Sequence, residues 1–224
     1  MELRYHLGSL FEAELGSPDR AVENYRQAIE VDPHHHKTVM ALERFLHDPD
    51  QRTVAAAVLK PVYELHKNWP SLIRTYEIHL DTASDTQARI EDSKAIASLY
   101  EEKLRDRPSA FTWYAKVFRE QPGDQWTRDQ LARLANLLDN WSELAAVYQL
   151  FLDDNSRDSD GATLDVLRTA AEIYDQRLDK IDEAKECYRR ILSQNSEDLA
   201  AFDSLEAMLL RSERWMDLLA VYHE

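Results

Sequence analysis

The chain has 224 residues and a net charge of −15, an acidic balance that disfavours nucleic acid as the main partner because phosphate binding uses clustered Lys and Arg. Four glycines and seven prolines are too few for turn-rich β architectures or glycine-rich nucleotide loops, and they favour helices. The longest apolar run, Val54–Leu59, is far shorter than the ~20 residues of a membrane-spanning helix. No secretory signal pattern opens the sequence, and the cytoplasm is the favoured compartment.

The first residues predict a pair of helices over residues 2–33. Apolar side chains recur there at spacings of three and four residues, the period of an amphipathic helix. Ser17 and Pro18 supply an N-cap and a proline at the first position of the second helix, and Pro33 follows its end. The expected core positions are Phe11, Leu15, Ala21, Tyr25 and Ala28.

A further, inserted helix is expected at residues 36–47, where Val39, Leu42 and Phe45 line one face. The consecutive residues His34, His35 and His36 point in different directions, so we interpret them as a solvated turn without a metal. The next helix contains Pro61, where a kink or a break is expected because proline removes a backbone donor.

Two motifs alternate along the rest of the chain. One, the Trp-type motif, begins at Trp69, Trp141 and Trp215 and reaches a tyrosine seven residues later; the other has Tyr100 and Tyr174 in the role of Phe11. Their alternation implies a unit of about 37 residues, the length of two short helices and two turns. We expect the tryptophans to pack between helices. The predicted repeats are 2–33, 50–82, 88–122, 125–154, 162–196 and 197–224.

Two further predictions concern a polar stretch and a cysteine in the second half of the chain. The polar stretch Asp153–Gly161 is expected to be the longest loop, and Cys187 lies between Ala184 and Tyr188 on a helix, as a small core residue would.

The first copy resembles a tetratricopeptide repeat. The residues that carry the resemblance are Tyr5, Leu7-Gly8, Phe11, Gly16, Ala21, Tyr25, Ala28 and Asp32-Pro33. The alternation with Trp-type units is similar to long bacterial arrays of this family, so the chain is expected to be part of a longer array. The resemblance implies an all-α fold, a right-handed α-solenoid of about thirteen helices including the inserted one.

The resemblance also implies a concave groove lined by the first helix of each pair. Carried over by position, its partner-binding residues are Glu91, Lys94, Ser98, Glu101, Glu102, Trp126, Asp129, Arg133, Asn136, Asp165, Arg168, Glu172 and Asp175. The groove is mixed in charge but acidic, which indicates a protein or peptide ligand that contains Lys or Arg. Tyr5 and Ser9 stand where chaperone-binding members carry the lysine and asparagine that clamp a terminal carboxylate.

No motif for nucleophilic, metal-dependent or nucleotide-dependent catalysis occurs in the sequence. The sequence therefore predicts a scaffold for protein–protein interaction that is not an enzyme and uses no cofactor. Three alternatives remain open: an architectural spacer, a regulatory segment of a larger protein, and a half-repeat-type member of an RNA-processing complex. Leu218, Leu219 and Val221 would allow association with other repeats or self-association at the C-terminal end.

Overall fold

The computed structural model describes residues 1–155 and 161–223, and over these ranges the secondary structure is helical, without strands. This confirms the predicted all-α fold, and the helix expected near residues 36–47 is α3. The α-helices are α1 (Glu2–Ala13), α2 (Pro18–Val31), α3 (His36–Phe45), α4 (Arg52–Leu65), α5 (Trp69–Thr82), α6 (Thr86–Ser98), α7 (Arg107–Glu120), α8 (Gln125–Leu138), α9 (Trp141–Asp154), α10 (Gly161–Gln176), α11 (Ile181–Gln194), α12 (Leu199–Arg211) and α13 (Trp215–Val221). A π-helical turn, Leu99–Leu104, continues α6.

The helices form two compact units, Met1–Trp113 and Tyr114–Glu224. Within each unit the helices that follow one another along the chain pack together, as α1 does with α2, α4 with α5 and α10 with α11. No helix in the described ranges is both long and apolar enough to cross a membrane.

Tight turns with left-handed backbone join six pairs of helices in the described residues. The residue with positive φ is Gly16, Lys67, Arg105, Asp139, Asp179 or Glu213. A residue in the left-handed (αL) conformation turns the chain so that a following backbone N–H can donate to a carbonyl in the last turn of the helix. After α8, for example, Asn140 N donates to Ala135 O at 3.1 Å. One of these six is glycine, so the other five turns hold a side chain in a conformation that costs about 1–2 kcal/mol.

The core of the first unit is built where α1, α2, α3 and α4 meet. Tyr25 and Leu42 are fully buried there, and Leu59 of α4 joins them. Gly8 of α1 lies directly against the ring of Tyr25, where a Cβ on residue 8 would come within 2.5 Å of Cε1. A glycine at this position therefore allows α1 and α2 to approach closely.

The core of the second unit is centred on aromatic and leucine side chains. The rings of Phe118 and Tyr148 lie 5.1 Å apart, and both side chains are fully buried. Leu144 and Leu167 are equally inaccessible. Cys187 is buried as predicted, and burial raises the pKa of its thiol to about 11.

Side chains one repeat apart bond to each other in both units. In the first unit the guanidinium of Arg44 donates to the carboxylate of Glu12 at 2.8 Å, across 32 residues of sequence. The same separation of 32 residues recurs in the second unit, where Lys185 Nζ donates to Asp217 Oδ1 at 2.9 Å. The first bond joins α3 to α1 and the second joins α11 to α13.

Three local expectations need correction or restriction. Helix α4 runs through Pro61 without a break; the proline lacks an N–H, and it lies on an exposed side of the helix. Trp215 is 58% exposed, so packing between helices is wrong for this copy, whereas Trp69 and Trp141 are partly buried. The predicted loop Asp153–Gly161 lies mostly outside the described residues.

The histidine turn makes contacts that the sequence did not indicate. The ring of His34 stacks on that of His66 with centroids 4.7 Å apart, and His66 Nε2 lies 2.8 Å from His34 Nδ1. His35 Nδ1 is 2.5 Å from Thr38 Oγ1. Among the residues that the structure describes, no group of three or more His, Cys, Asp or Glu side chains is arranged to hold a metal ion.

Candidate interaction face

The predicted partner-binding residues lie on first helices in both units. Glu91, Lys94 and Ser98 belong to α6, and Glu101 and Glu102 belong to the π-helical turn after it. The other predicted residues lie on α8 and α10 of the second unit. The first set belongs to the unit Met1–Trp113 and the second set to the unit Tyr114–Glu224.

In the first unit Glu91, Lys94 and Ser98 lie on a regular α-helix, as expected, whereas Glu101 and Glu102 lie on a π-helical turn. Glu91 is exposed and accepts a bond from Gln87 Nε2 at 3.0 Å, and Ser98 donates to Glu102 Oε1 at 3.2 Å. A π-helical turn has more residues per turn than an α-helix. Glu101 and Glu102 therefore point in directions that differ from those assigned by α-helical spacing.

In the second unit α8 carries the most accessible part of the predicted face. Trp126 is 47% exposed, and its ring meets that of Tyr114 edge-on, with centroids 5.6 Å apart. Asp129 is exposed and accepts from Gln125 Nε2 at 2.7 Å. One and two turns further on, Arg133 and Asn136 are also exposed.

Most of the predicted charged residues on α10 bond to neighbouring helices. Asp165 accepts from Arg128 of α8 at 3.0 Å, and Arg168 forms an ion pair with Asp198, the N-cap of α12. The hydrogen bond from Arg168 lowers the pKa of Asp198. These charges hold first helices together, and their side chains are engaged within the chain.

Asp175, the fourth charged residue of the predicted face on α10, also bonds to a neighbouring helix. Asp175 forms an ion pair with Arg211 of α12 and thereby raises the pKa of that guanidinium. Glu172, one turn earlier on α10, is exposed. Besides Asp165, the exposed predicted residues of the second unit are Trp126, Asp129, Arg133, Asn136 and Glu172, and we call these five the α8–α10 face.

The residues that anchor this face were missed by the sequence analysis. Arg128 is 5% exposed, and its guanidinium donates to Pro122 O at 2.7 Å besides its bond to Asp165. Its partner is 37 residues away, and the partners of Arg168 and Arg211 lie 30 and 36 residues away. Opposite charges separated by about one repeat were the signal that could have revealed these pairs.

A second surface feature, also missed, is an apolar groove in the first unit. It encloses about 630 Å³ between α2 and α4, and its lining residues are Arg26, Ile29, Glu30, Pro33, Val54, Ala57, Val58, Pro61, Val62 and Leu65. Arg26 donates to Glu23 and Glu30 at 2.8 and 2.9 Å. The two charged lining residues therefore neutralise each other, and the groove presents mainly hydrocarbon.

Comparison with known proteins identifies repeats in two segments. A family model described as tetratricopeptide repeat matches residues 2–35 and 169–198. No curated protein sequence matches the chain significantly.

Solved structures with similar chains include three proteins. The MamA protein is 13% identical, with a TM-score of 0.40 over 78% of this chain and 90% of its own. A tetratricopeptide repeat protein from Parabacteroides merdae is 16% identical, with a TM-score of 0.35 over 98% of this chain and 76% of its own. The TPR2AB domain of yeast Sti1, in a pHSP90 complex, is 15% identical, with a TM-score of 0.32 over 98% of this chain and 87% of its own.

Proposed function

Because this chain is a tetratricopeptide-repeat protein, with matched repeats at residues 2–35 and 169–198, we propose that it is a non-catalytic scaffold that binds a protein or peptide partner. The fold supplies rigid helices that hold side chains at fixed spacing, and such scaffolds acquire their function from the surfaces they present. The partner segment lies along the α8–α10 face.

One observation carries the choice of this face. Trp126 exposes nearly half of its surface on a helix whose exposed neighbours Asp129, Arg133 and Asn136 are polar. An accessible indole with a carboxylate one turn away on its own helix, here Asp129, has the composition of an energetically dominant contact with a polar rim, and Glu172 adds a second exposed carboxylate on α10. The expected ligand is an extended or helical segment with an apolar side chain for Trp126 and a Lys or Arg for the carboxylates.

The test starts from a library of random twelve-residue peptides displayed on phage and selected against the folded chain. Binding of each selected peptide is then measured by calorimetry at two salt concentrations, because rim carboxylates steer a basic ligand mainly through an interaction that salt screens. Replacement of Trp126 by alanine should weaken binding about 30-fold, the effect of a hot-spot residue worth about 2 kcal/mol.

Two pairs of charge reversals separate the face from the net charge of the chain. Asp129→Lys with Glu172→Lys should abolish the salt dependence and weaken binding. Glu183→Lys with Glu186→Lys, on the exposed surface of second helix α11, changes the net charge equally and should leave affinity within twofold. Residues 165, 168 and 175 are left intact, since their replacement would disturb the packing of first helices.

The apolar groove offers the competing location on the same scaffold. Ala57→Glu places a carboxylate in the groove between α2 and α4 and leaves the α8–α10 face unchanged. If this variant loses the selected peptides while Trp126→Ala keeps them, the groove is the binding site and our assignment is wrong. Failure of every selection, together with empty captures from native lysate, would favour the architectural spacer.

A further inference from the structure

The apolar groove between α2 and α4 lies on a part of the first unit that the predicted groove of first helices does not include. One of its walls belongs to α2, the second helix of its pair, and the helices next to α2 and α4 in the sequence, α1, α3 and α5, are all within the described residues. Repeats of this kind contact mainly their neighbours along the chain. The groove is therefore a side surface of the unit, and it is not formed by the last helix of a stack.

Helix α4 is apolar on two sides, of which one is covered. Its buried side is formed by Ala55, Ala56, Leu59, Val62 and Tyr63. Its second apolar side lines the groove, at spacings of three and four residues, with Val54, Ala57, Val58, Pro61 and Leu65. The end members Val54 and Leu65 are 49% and 54% exposed. A helix that is apolar on both sides is normally covered on both, so the second side is suited to a partner.

Pro61 gives this apolar wall a polar anchor. A proline has no backbone N–H, so Ala57 O lacks the donor that residue 61 supplies in a regular helix. Ala57 and Pro61 both line the groove, and both are exposed, which puts this carbonyl at the groove wall. Ligand sites typically combine a mainly apolar lining with a few polar groups that orient the ligand. The groove therefore favours an apolar group that carries a hydrogen-bond donor.

The length and volume of the groove suit a helical segment. From Val54 to Leu65 the α4 wall is about 16 Å long at a rise of 1.5 Å per residue, which is about three helical turns. The enclosed volume of about 630 Å³ accommodates several side chains, and an amphipathic helix presents its apolar ones at spacings of three and four residues. Tryptophan is the side chain that combines a large apolar ring with an N–H donor and no acceptor.

The α2 wall adds a small excess of negative charge. Arg26 donates to Glu23 and Glu30 at 2.8 and 2.9 Å, so two carboxylates share one guanidinium. The hydrogen bond from Arg26 lowers the pKa of Glu23 to about 2, and this carboxylate therefore keeps its charge at neutral pH. The edge of the groove and the net charge of −15 both attract a ligand with Lys or Arg.

A second copy of the chain does not complement this groove. If two copies paired through α4, each wall would offer hydrocarbon to the other, and both Ala57 carbonyls would leave water without gaining a donor. The two acidic edges would also approach each other. Both effects favour a different protein, which brings a donor and basic residues.

We propose that the groove between α2 and α4 binds an amphipathic helix of another protein, with a tryptophan whose indole N–H donates to Ala57 O and with Lys or Arg next to Glu23 and Glu30. This second binding site goes beyond the proposed function, because the α8–α10 face belongs to the other unit. Its failure would leave the assignment of that face unaffected.

The test uses two designed peptides that differ in one hydrogen-bond donor. Each is a fluorescein-labelled, Lys-rich helix of about three turns, with Leu one turn before and one turn after a central residue. That residue is tryptophan in one peptide and 1-methyltryptophan, which has no N–H, in the other. Binding to the whole chain is followed by anisotropy, and the tryptophan peptide should bind about fivefold more tightly, the effect of one neutral hydrogen bond.

Pro61→Ala is the decisive variant, because alanine supplies the missing N–H to Ala57 O. It should reduce the difference between the peptides to under about twofold, and α4 should stay folded, since alanine is favoured over proline inside a helix. The matched control is Pro70→Ala in the first turn of α5, where the new N–H has no helix partner. It should preserve the fivefold difference, and Trp126→Ala in the other unit should leave both affinities unchanged.

Four results would overturn the proposal. Equal affinities of the original chain for the two peptides, no saturable binding of either, or a difference that survives in Pro61→Ala would each contradict the role of Ala57 O. Displacement of the tryptophan peptide by an equal concentration of free indole would identify a small aromatic ligand instead. Sedimentation of the chain alone as a dimer that the tryptophan peptide dissociates would assign the groove to a second copy.

Discussion

Replacement of Gly8 by alanine is a sharp test of the packing in the first unit, because two known effects oppose each other. Alanine is favoured over glycine inside a helix by about 1 kcal/mol, so α1 considered alone predicts a more stable variant. The added Cβ would, however, lie 2.5 Å from Cε1 and 2.7 Å from Cδ1 of Tyr25. The ring or the helix must move by about 1 Å to restore an ordinary contact, and overpacking of this kind costs about 1–3 kcal/mol.

The ring of Tyr25 has little freedom to yield. Its hydroxyl donates to Glu12 Oε2 at 2.7 Å, and Arg44 holds the same carboxylate. The ring is fully buried and lies 6.3 Å from that of Phe45. We therefore expect Gly8→Ala to lower the free energy of unfolding of the first unit by about 1 kcal/mol, the middle of the overpacking cost less the gain in helix propensity.

Native-state hydrogen exchange is the suitable assay, since the amides of α2 report on the first unit separately from the second. The matched control is Gly8→Ala in a Tyr25→Leu background, where the close contact is absent and alanine should stabilise. A Gly8→Ala variant as stable as the original chain, or more stable, would contradict the close approach of α1 and α2.

Further predictions concern the second unit. Trp141→Ala should cost about 3 kcal/mol, as truncation of a largely buried side chain does, and Trp215→Ala at the equivalent exposed position should cost under about 1 kcal/mol; urea melts of both variants compare them. Cys187 should react slowly with a disulfide reagent below pH 9, because its buried thiol stays protonated. The stability that this thiol contributes is fully present below its ordinary pKa of 9.0 and should be lost as pH rises toward about 11. Cys187→Ala should remove this pH-dependent loss. Arg168→Gln should raise the lowered pKa of Asp198 toward its ordinary value in an NMR titration, and should remove the part of the stability that is lost as pH falls through that pKa.

Much of the fold could be predicted because helix period and repeat spacing report the same architecture. Leu42, Phe45 and Tyr25 each follow from apolar periodicity, and all three are buried. The left-handed turns could not be predicted, because residues such as Asp139 and Glu213 adopt positive φ although they are not glycine, the residue type that usually indicates this conformation. A side chain in this conformation costs about 1–2 kcal/mol, which the packing of the helices on either side has to offset.

The candidate site was predicted at the level of helices rather than of side chains. Family positions identified α8 and α10 as first helices, but they could not show that Asp165 and Arg168 bond to neighbouring helices. Whether a charge on a repeat surface is accessible depends on the residue one repeat away, which a position-by-position comparison does not consider. The exposure of Trp215 likewise depends on whether another helix packs against α13, and the Trp-type motif alone does not encode that.

The bonds between neighbouring repeats have a consequence for how the chain acquires its structure. Arg44 reaches Glu12 across 32 residues, and Arg190 Nη2 reaches Leu152 O across 38. Contacts at such short separations close small loops, whose entropic cost is low, and proteins dominated by them fold quickly. We therefore expect that a nascent chain needs only about one further repeat outside the ribosome before a new helix meets its partners, and that structure formed in one repeat can propagate to its neighbours.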